Sequence, residues 1–222
     1  DKDDVAVSDE FEIVPLKIVK PTFDESESVF TEGGQSRSFD SFNKIAEGQD
    51  VAESDLLQGG VFASAIKIEI NQNGSVLSRG VSVKNAGTYT ISLSLNDANL
   101  VWAEPDAGYT YSWPVLRKGL PAPTAPDAEY VPLGNSSVTL NGFDADIMSA
   151  STKESGLQIE GGKLTAKDAG PYKLTVKLTN LNYCWGEDGS DVDTTAVTWT
   201  ITPYKISVPT VSGEPYIYNE TA

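Results

Sequence analysis

The chain has 222 residues, 32 of them acidic and 16 basic, for a net charge of −16, with one cysteine and no histidine. So anionic a surface repels phosphate backbones and acidic lipid, which sets nucleic-acid and peripheral-membrane roles aside. Without histidine the usual general base, the Ser-His and Cys-His pairs and most transition-metal chemistry are missing, and Cys184 alone supports neither an intramolecular disulfide nor a multi-cysteine zinc site.

The length fits one or two domains. Apolar runs are strand-sized, so no membrane insertion is expected within this segment. The opening "DKDDVAVSDE" has no signal-peptide character, so targeting information is expected to have been removed or to lie elsewhere.

In chain order, "FEIVPLKI" (11–18) alternates like a strand and is followed by Pro21 and Phe30. "DVAESDLL" (50–57) is the one stretch that suits a short helical turn. "AIKIEINQNG" (65–74) alternates and closes in a hairpin-like Asn-Gly. "NAGTYTISLSL" (85–95) puts Tyr89, Ile91, Leu93 and Leu95 on one face and Thr90, Ser92 and Ser94 on the other. "NLVWAE" (99–104) and the strand "YTYSWPVL" (109–116) follow, then Pro121 and Tyr130.

The second half repeats these statements. "DAGPYKLTVKL" (168–178) again alternates, "NYCWGE" (182–187) again sets a Trp 13 residues beyond a Tyr, and "AVTWTITPY" (196–204) is again a strand. Aligning the three late strands without gaps pairs Phe11 with Tyr111 and Trp199, and Ile13 with Trp113 and Ile201. Pro21, Pro121 and Pro209 then fall in register, each nine residues before Phe30, Tyr130 or Tyr218. Spacings of 100 and 88 residues between these prolines indicate whole domains in tandem, not solenoid units. Residues 1–18 are expected to be the last strand of a preceding repeat, 19–117 and 118–206 two complete repeats, and 207–222 the first strand of a following one.

Strands of period two with Gly and Pro punctuation predict an all-β chain of tandem sandwiches. "NAGTY" and "DAGPY" resemble the corner before the penultimate strand of immunoglobulin-like domains, where a Tyr hydroxyl bonds back to the backbone. Ile91 and Leu174 stand where antibody domains carry cysteine. The longer pattern, AG-x-Y, a strand, "NYCW", an acidic turn and "TWTI", is similar to the bacterial immunoglobulin-like repeats of Gram-positive-type cell-surface and adhesin proteins. That resemblance implies stalk, spacer or adhesive modules.

Residues with possible chemistry are few. The acidic turn 186–195 holds Glu187, Asp188, Asp191 and Asp193, whose hard oxygens suit calcium; a solvated acidic hairpin is the plainer reading. Ser41–Lys44 and Ser64–Lys67 have the spacing of Ser-Lys nucleophile pairs but lack the companion motifs. Trp102 and Trp185 are expected to pin their hairpins to the core beside the corner tyrosines Tyr89 and Tyr172, and Cys184 to be a small apolar filler. Lys17, Arg117 and Lys205 align, and the Arg argues against a lysine crosslink at that junction. Sequons stand at Asn73, Asn135 and Asn219. The first repeat is longer by an insertion near 46–62, the first place to look for binding on a rigid sandwich, with a plain surface loop as the simpler reading.

No catalytic residue and no cofactor other than calcium is expected. The leading reading is a non-enzymatic extracellular module at the cell surface. Its partners would be neighbouring repeats of the same chain, like subunits in a surface assembly, or a host protein or glycan. Prolines after each late strand would stiffen the junctions. The alternative is a carbohydrate- or protein-ligand-binding module of a secreted multidomain protein, which needs an exposed aromatic platform. A hydrolase working through paired carboxylates is the third reading.

Overall fold

The computed structural model describes residues 14–42, 44–48, 65–105, 108–210 and 212–213. The stub 1–13, most of the 46–62 insertion with its helical turn, Ser64, Asn219 and Tyr218 lie outside them. The elements of the described residues are strands, numbered here in chain order, and no helix among them is long and apolar enough to cross a membrane. They form two compact units, one from the described parts of Asp1–Leu120 with Asn180–Asp193, the other from Pro121–Thr179 with Thr194–Ala222. Compactness and sequence repeat therefore divide the chain differently: the excursion Asn180–Asp193 follows the corner strand of the second repeat but belongs to the first unit.

In the first unit a four-stranded sheet has the order β2 (Ser28–Val29), β9 (Thr110–Leu116), β7 (Gly87–Leu95), β4 (Ile66–Ile70). A three-stranded sheet has the order β3 (Gln35–Ser38), β6 (Gly80–Val83), β5 (Ser75–Leu77). The second unit repeats this with β11 (Ala128–Glu129), β18 (Thr194–Thr202), β16 (Gly170–Leu178), β13 (Met148–Ser151) in one sheet. Its other sheet is β12 (Ser136–Thr139), β15 (Lys163–Ala166), β14 (Leu157–Glu160). Each unit is an immunoglobulin-like sandwich of four strands and three.

Alternation decides which side chains fill it. Along β16, Tyr172, Leu174, Val176 and Leu178 are buried while Lys173, Thr175 and Lys177 face water. Along β7, Tyr89, Ile91 and Leu93 are buried in the same way. Trp113 and Trp199 are fully buried at the centres of the two cores.

Two expectations change. The Asn-Gly at 73–74 does not close a hairpin: β4 pairs with β7 and β5 with β6, so the turn carries the chain from one sheet to the other. The ungapped alignment of the late strands is two residues out. Tyr89 lies opposite Trp113 and Tyr172 opposite Trp199, so Trp113, not Tyr111, is the counterpart of Trp199, and Tyr111 matches Val197. A slip of two leaves every side chain on its proper face, which is why the alternation could not reveal it. Past the prolines the register of 100 holds, since β2 and β11 meet β9 and β18 at matching places.

Candidate functional site

The corners come first because they fix the start of each excursion. The Tyr89 hydroxyl donates to the Asn85 carbonyl at 2.8 Å and the Tyr172 hydroxyl to the Asp168 carbonyl at 2.9 Å. Each bond spans four residues and ties the sheet strand to the turn before it. Both tyrosines are buried.

The two excursions then follow one frame. Asp97 and Asn180 each form an Asx turn to the backbone N–H of Asn99 or Asn182. After it, β8 (Leu100–Trp102) runs parallel to β1 (Leu16–Ile18), and β17 (Tyr183–Trp185) runs parallel to β10 (Lys118–Leu120). This pairs Leu16 with Leu100 and Lys118 with Tyr183, and matching backbone bonds enter and leave the pairs. Lys17 is therefore the counterpart of Gly119, not of Arg117, and its exposed side chain lacks the burial a lysine crosslink needs.

Gly119 is required where it stands. A Cβ there would lie 2.1 Å from the Gly186 carbonyl oxygen and 2.8 Å from the Glu187 carbonyl carbon. Bare backbone lets the acidic turn close over the strand, and the Gly119 N–H donates to Asp188 Oδ1 at 2.7 Å. Gly189 N–H donates to the Arg117 carbonyl at 2.8 Å, and Arg117 Nη1 reaches the Ser190 carbonyl at 3.5 Å. Asp188 thus serves as an acceptor within the turn. Among the described residues no group of three or more His, Cys, Asp or Glu side chains stands where it could hold a metal ion, and this includes Asp188, Asp191 and Asp193.

What distinguishes the second excursion is how thoroughly the first unit receives it. The Tyr183 ring meets the Phe30 ring edge-on at 5.4 Å, and its hydroxyl donates to Glu32 Oε1 at 2.8 Å. The Ala86 N–H donates to Asn182 Oδ1 at 2.8 Å, and Asn182 Nδ2 donates to Asn85 Oδ1 at 3.1 Å. Tyr183, Cys184 and Trp185 are buried, with Cys184 Sγ 3.2 Å from the Glu187 carbonyl. The first excursion is more open: Val101, the counterpart of Cys184, is exposed, and Trp102 is half-buried and stacked on Tyr109 at 4.3 Å and 19°. The two tryptophans are thus not alike, although their spacing from the corner is. No sequence signal singled out Phe30, Glu32 or Asn182; the only clue was the aromatic nine residues after each proline.

The remaining motifs do not converge. Lys67 lies on β4 and pairs with Glu69 at 2.6 Å. Lys44 N–H bonds the Ser41 carbonyl at 3.1 Å, a turn contact with no nucleophile-base geometry. Asn73 and Asn135 are exposed.

No family model and no curated protein matches the chain. Solved structures with some likeness include domains 1–6 of the surface layer protein SbsC, at 12% identity and a TM-score of 0.26, covering 88% of this chain and 29% of that one. Human protocadherin-24 EC1-2 is similar at 11% identity and a TM-score of 0.24, over 83% of this chain and 98% of that one. Domains 4 and 5 of SbsC give 12% and 0.24, over 82% and 96%. Scores this low carry no argument, and the fold stands on the chain's own sheets.

Proposed function

We propose that the chain is a non-enzymatic structural or adhesive module of a bacterial cell-surface protein, built as a stretch of tandem immunoglobulin-like repeats. One observation carries the reading: sandwich, corner and excursion occur twice in one frame, and the excursion of the second repeat is built into the first unit. A chain made this way repeats one structural frame, and that frame serves to build units, not to surround a reacting group. The partners are then neighbouring repeats, like subunits of a surface assembly, or a host protein or glycan.

The test is location. Antibody raised against the exposed loop around Leu133 should label intact cells that make the full-length protein, and brief external protease should release fragments carrying it. Labelling only after permeabilisation overturns the surface role.

A ligand-binding reading has one observation in its favour. Trp102 and Tyr109 form a stacked, partly exposed aromatic pair, with Lys20 Nζ 5.6 Å from the Tyr109 ring centre. Such a face suits a sugar ring. A glycan array probed with the chain and with Trp102→Ala should give a signal that the variant loses; a blank array removes this reading.

A further inference from the structure

In the second unit an open apolar pocket of about 350 Å³ is lined by Tyr130, Pro132, Ala169, Pro203, Tyr204 and Ile206. Its lining can be placed residue by residue on the first unit. The register of 100 after the prolines makes Tyr130 and Pro132 the counterparts of Phe30 and Glu32. The corners make Ala169 that of Ala86, and the late strands make Pro203, Tyr204 and Ile206 those of Arg117, Lys118 and Leu120. All six counterparts contact or flank the excursion Asn180–Asp193: Phe30 and Glu32 hold Tyr183, Ala86 and Lys118 bond Asn182, Arg117 reaches Ser190, and Leu120 pairs with Trp185.

We infer that this pocket is a socket for the excursion of a further immunoglobulin-like unit of the same kind, seated as Asn182–Trp185 is seated in the first unit. Exposure supports it. Tyr204 is 58% and Ile206 85% exposed, whereas Leu120 is only half-exposed. Leaving such apolar side chains in water is unfavourable, and a strand laid along Tyr204–Ile206 would cover them.

The chemistry of the socket narrows its occupant. Pro132 replaces Glu32, so no carboxylate waits for a tyrosine hydroxyl, and Pro203 replaces Arg117, so no guanidinium reaches for an acidic turn. The incoming excursion should keep the Asn after its Asx turn but carry an apolar residue in the place of Tyr183. The first repeat of this chain has such an excursion, Asn99-Leu100-Val101-Trp102, with Val101 exposed. That excursion is already paired with β1, so it shows the type of occupant and is not itself the occupant; a following unit carrying such an excursion would make a heterologous contact that extends head to tail.

The inference rests on the array proposed above, but its test needs no cell. Residues 121–206 are duplicated in tandem within the full chain, so that the new copy follows Ile206 as the original follows Leu120. Tyr183 of the new copy is changed to Leu, and Ile206 of the first copy to Cys; the native Cys184 is buried. Maleimide labelling at that cysteine, located by peptide mass, should be about tenfold slower than in the I206C chain without the duplication. It should recover when Asn182 and the changed position 183 of the new copy are both Ala. Equal rates with and without the duplication overturn the inference, and so does a slowing that survives the double alanine change. Surface labelling of cells is unaffected by either result, so the two readings fail separately.

Discussion

The two units share a frame but are finished differently. In the first, Trp113 donates through Nε1 to Ser28 Oγ at 3.0 Å, and the Arg37 guanidinium lies 4.7 Å from its ring. In the second, Ala128 stands in the place of Ser28 and Val138 in that of Arg37, and Trp199 Nε1 is buried without a partner. Likewise Val197 stands in the place of Tyr111, and Pro132 in that of Glu32. The first unit has more polar bonds at its seams and carries a seated excursion, although Trp185 Nε1 and Arg117 Nε and Nη2 there are also buried without a partner. The second is plainer and apolar, and its corresponding surface is open. One fold thus tolerates two ways of finishing the same places.

The sharpest way to break the comparison is to empty the filled socket. Tyr183→Ala removes the ring from Phe30 and the bond to Glu32, and should cost the first unit about 3–5 kcal/mol while leaving the β16–β18 core protected. Amide exchange read separately over β7–β9 and β16–β18 distinguishes the units; equal losses in both would mean that the excursion supports the second unit as much as the first. Next in size is Gly119→Ala, whose Cβ meets backbone that no side chain can yield, at about 1–3 kcal/mol. Lys17→Ala and Lys205→Ala, at exposed counterpart positions, should stay within about 0.5 kcal/mol in urea unfolding.

Another pair of changes exchanges the finishing of the two cores. Ser28→Ala leaves the Trp113 N–H unpaired and should cost the first unit about 1–2 kcal/mol. Ala128→Ser offers Trp199 the same acceptor and should stabilise the second unit by about 1 kcal/mol. Thermal unfolding should move in opposite directions for the two variants. Movement the same way would show that the hydroxyl acts through something other than the indole.

Much of this was legible in the sequence, and the illegible part has a physical cause. Alternation in β7 and β16 gave the buried faces, because a sheet with one wet side must alternate. The all-β class followed from it. The late-strand alignment slipped by two because the period of a strand is two, so only the cross-strand partners of Tyr89 and Tyr172 could place Trp113 against Trp199. The turn at Asn73-Gly74 had hairpin chemistry, yet sheet pairing is a non-local property that a dipeptide does not encode. Phe30, Glu32 and Ala86 come together with Asn182 and Tyr183 from nearly a hundred or more residues away, and no local pattern marks them as one site.

The last expected difference between the units is a loss of stability that sets in only in alkali. Burial first, then the Glu25 and Tyr109 charges, push the Tyr111 hydroxyl up to about 12, and this hydroxyl donates to the Pro21 carbonyl. A folded state that holds this proton more tightly than the unfolded chain gains stability that is complete below the ordinary value of 10. That gain is lost as pH rises from 10 towards about 12. The second unit has Val197 at this place and no such group to ionise. Between pH 9 and 11.5 the first unit should therefore lose protection faster than the second, and Tyr111→Phe should remove most of that difference. If the variant keeps the full alkaline slope, the loss belongs to other groups, and the buried phenol is not what sets the two units apart in alkali.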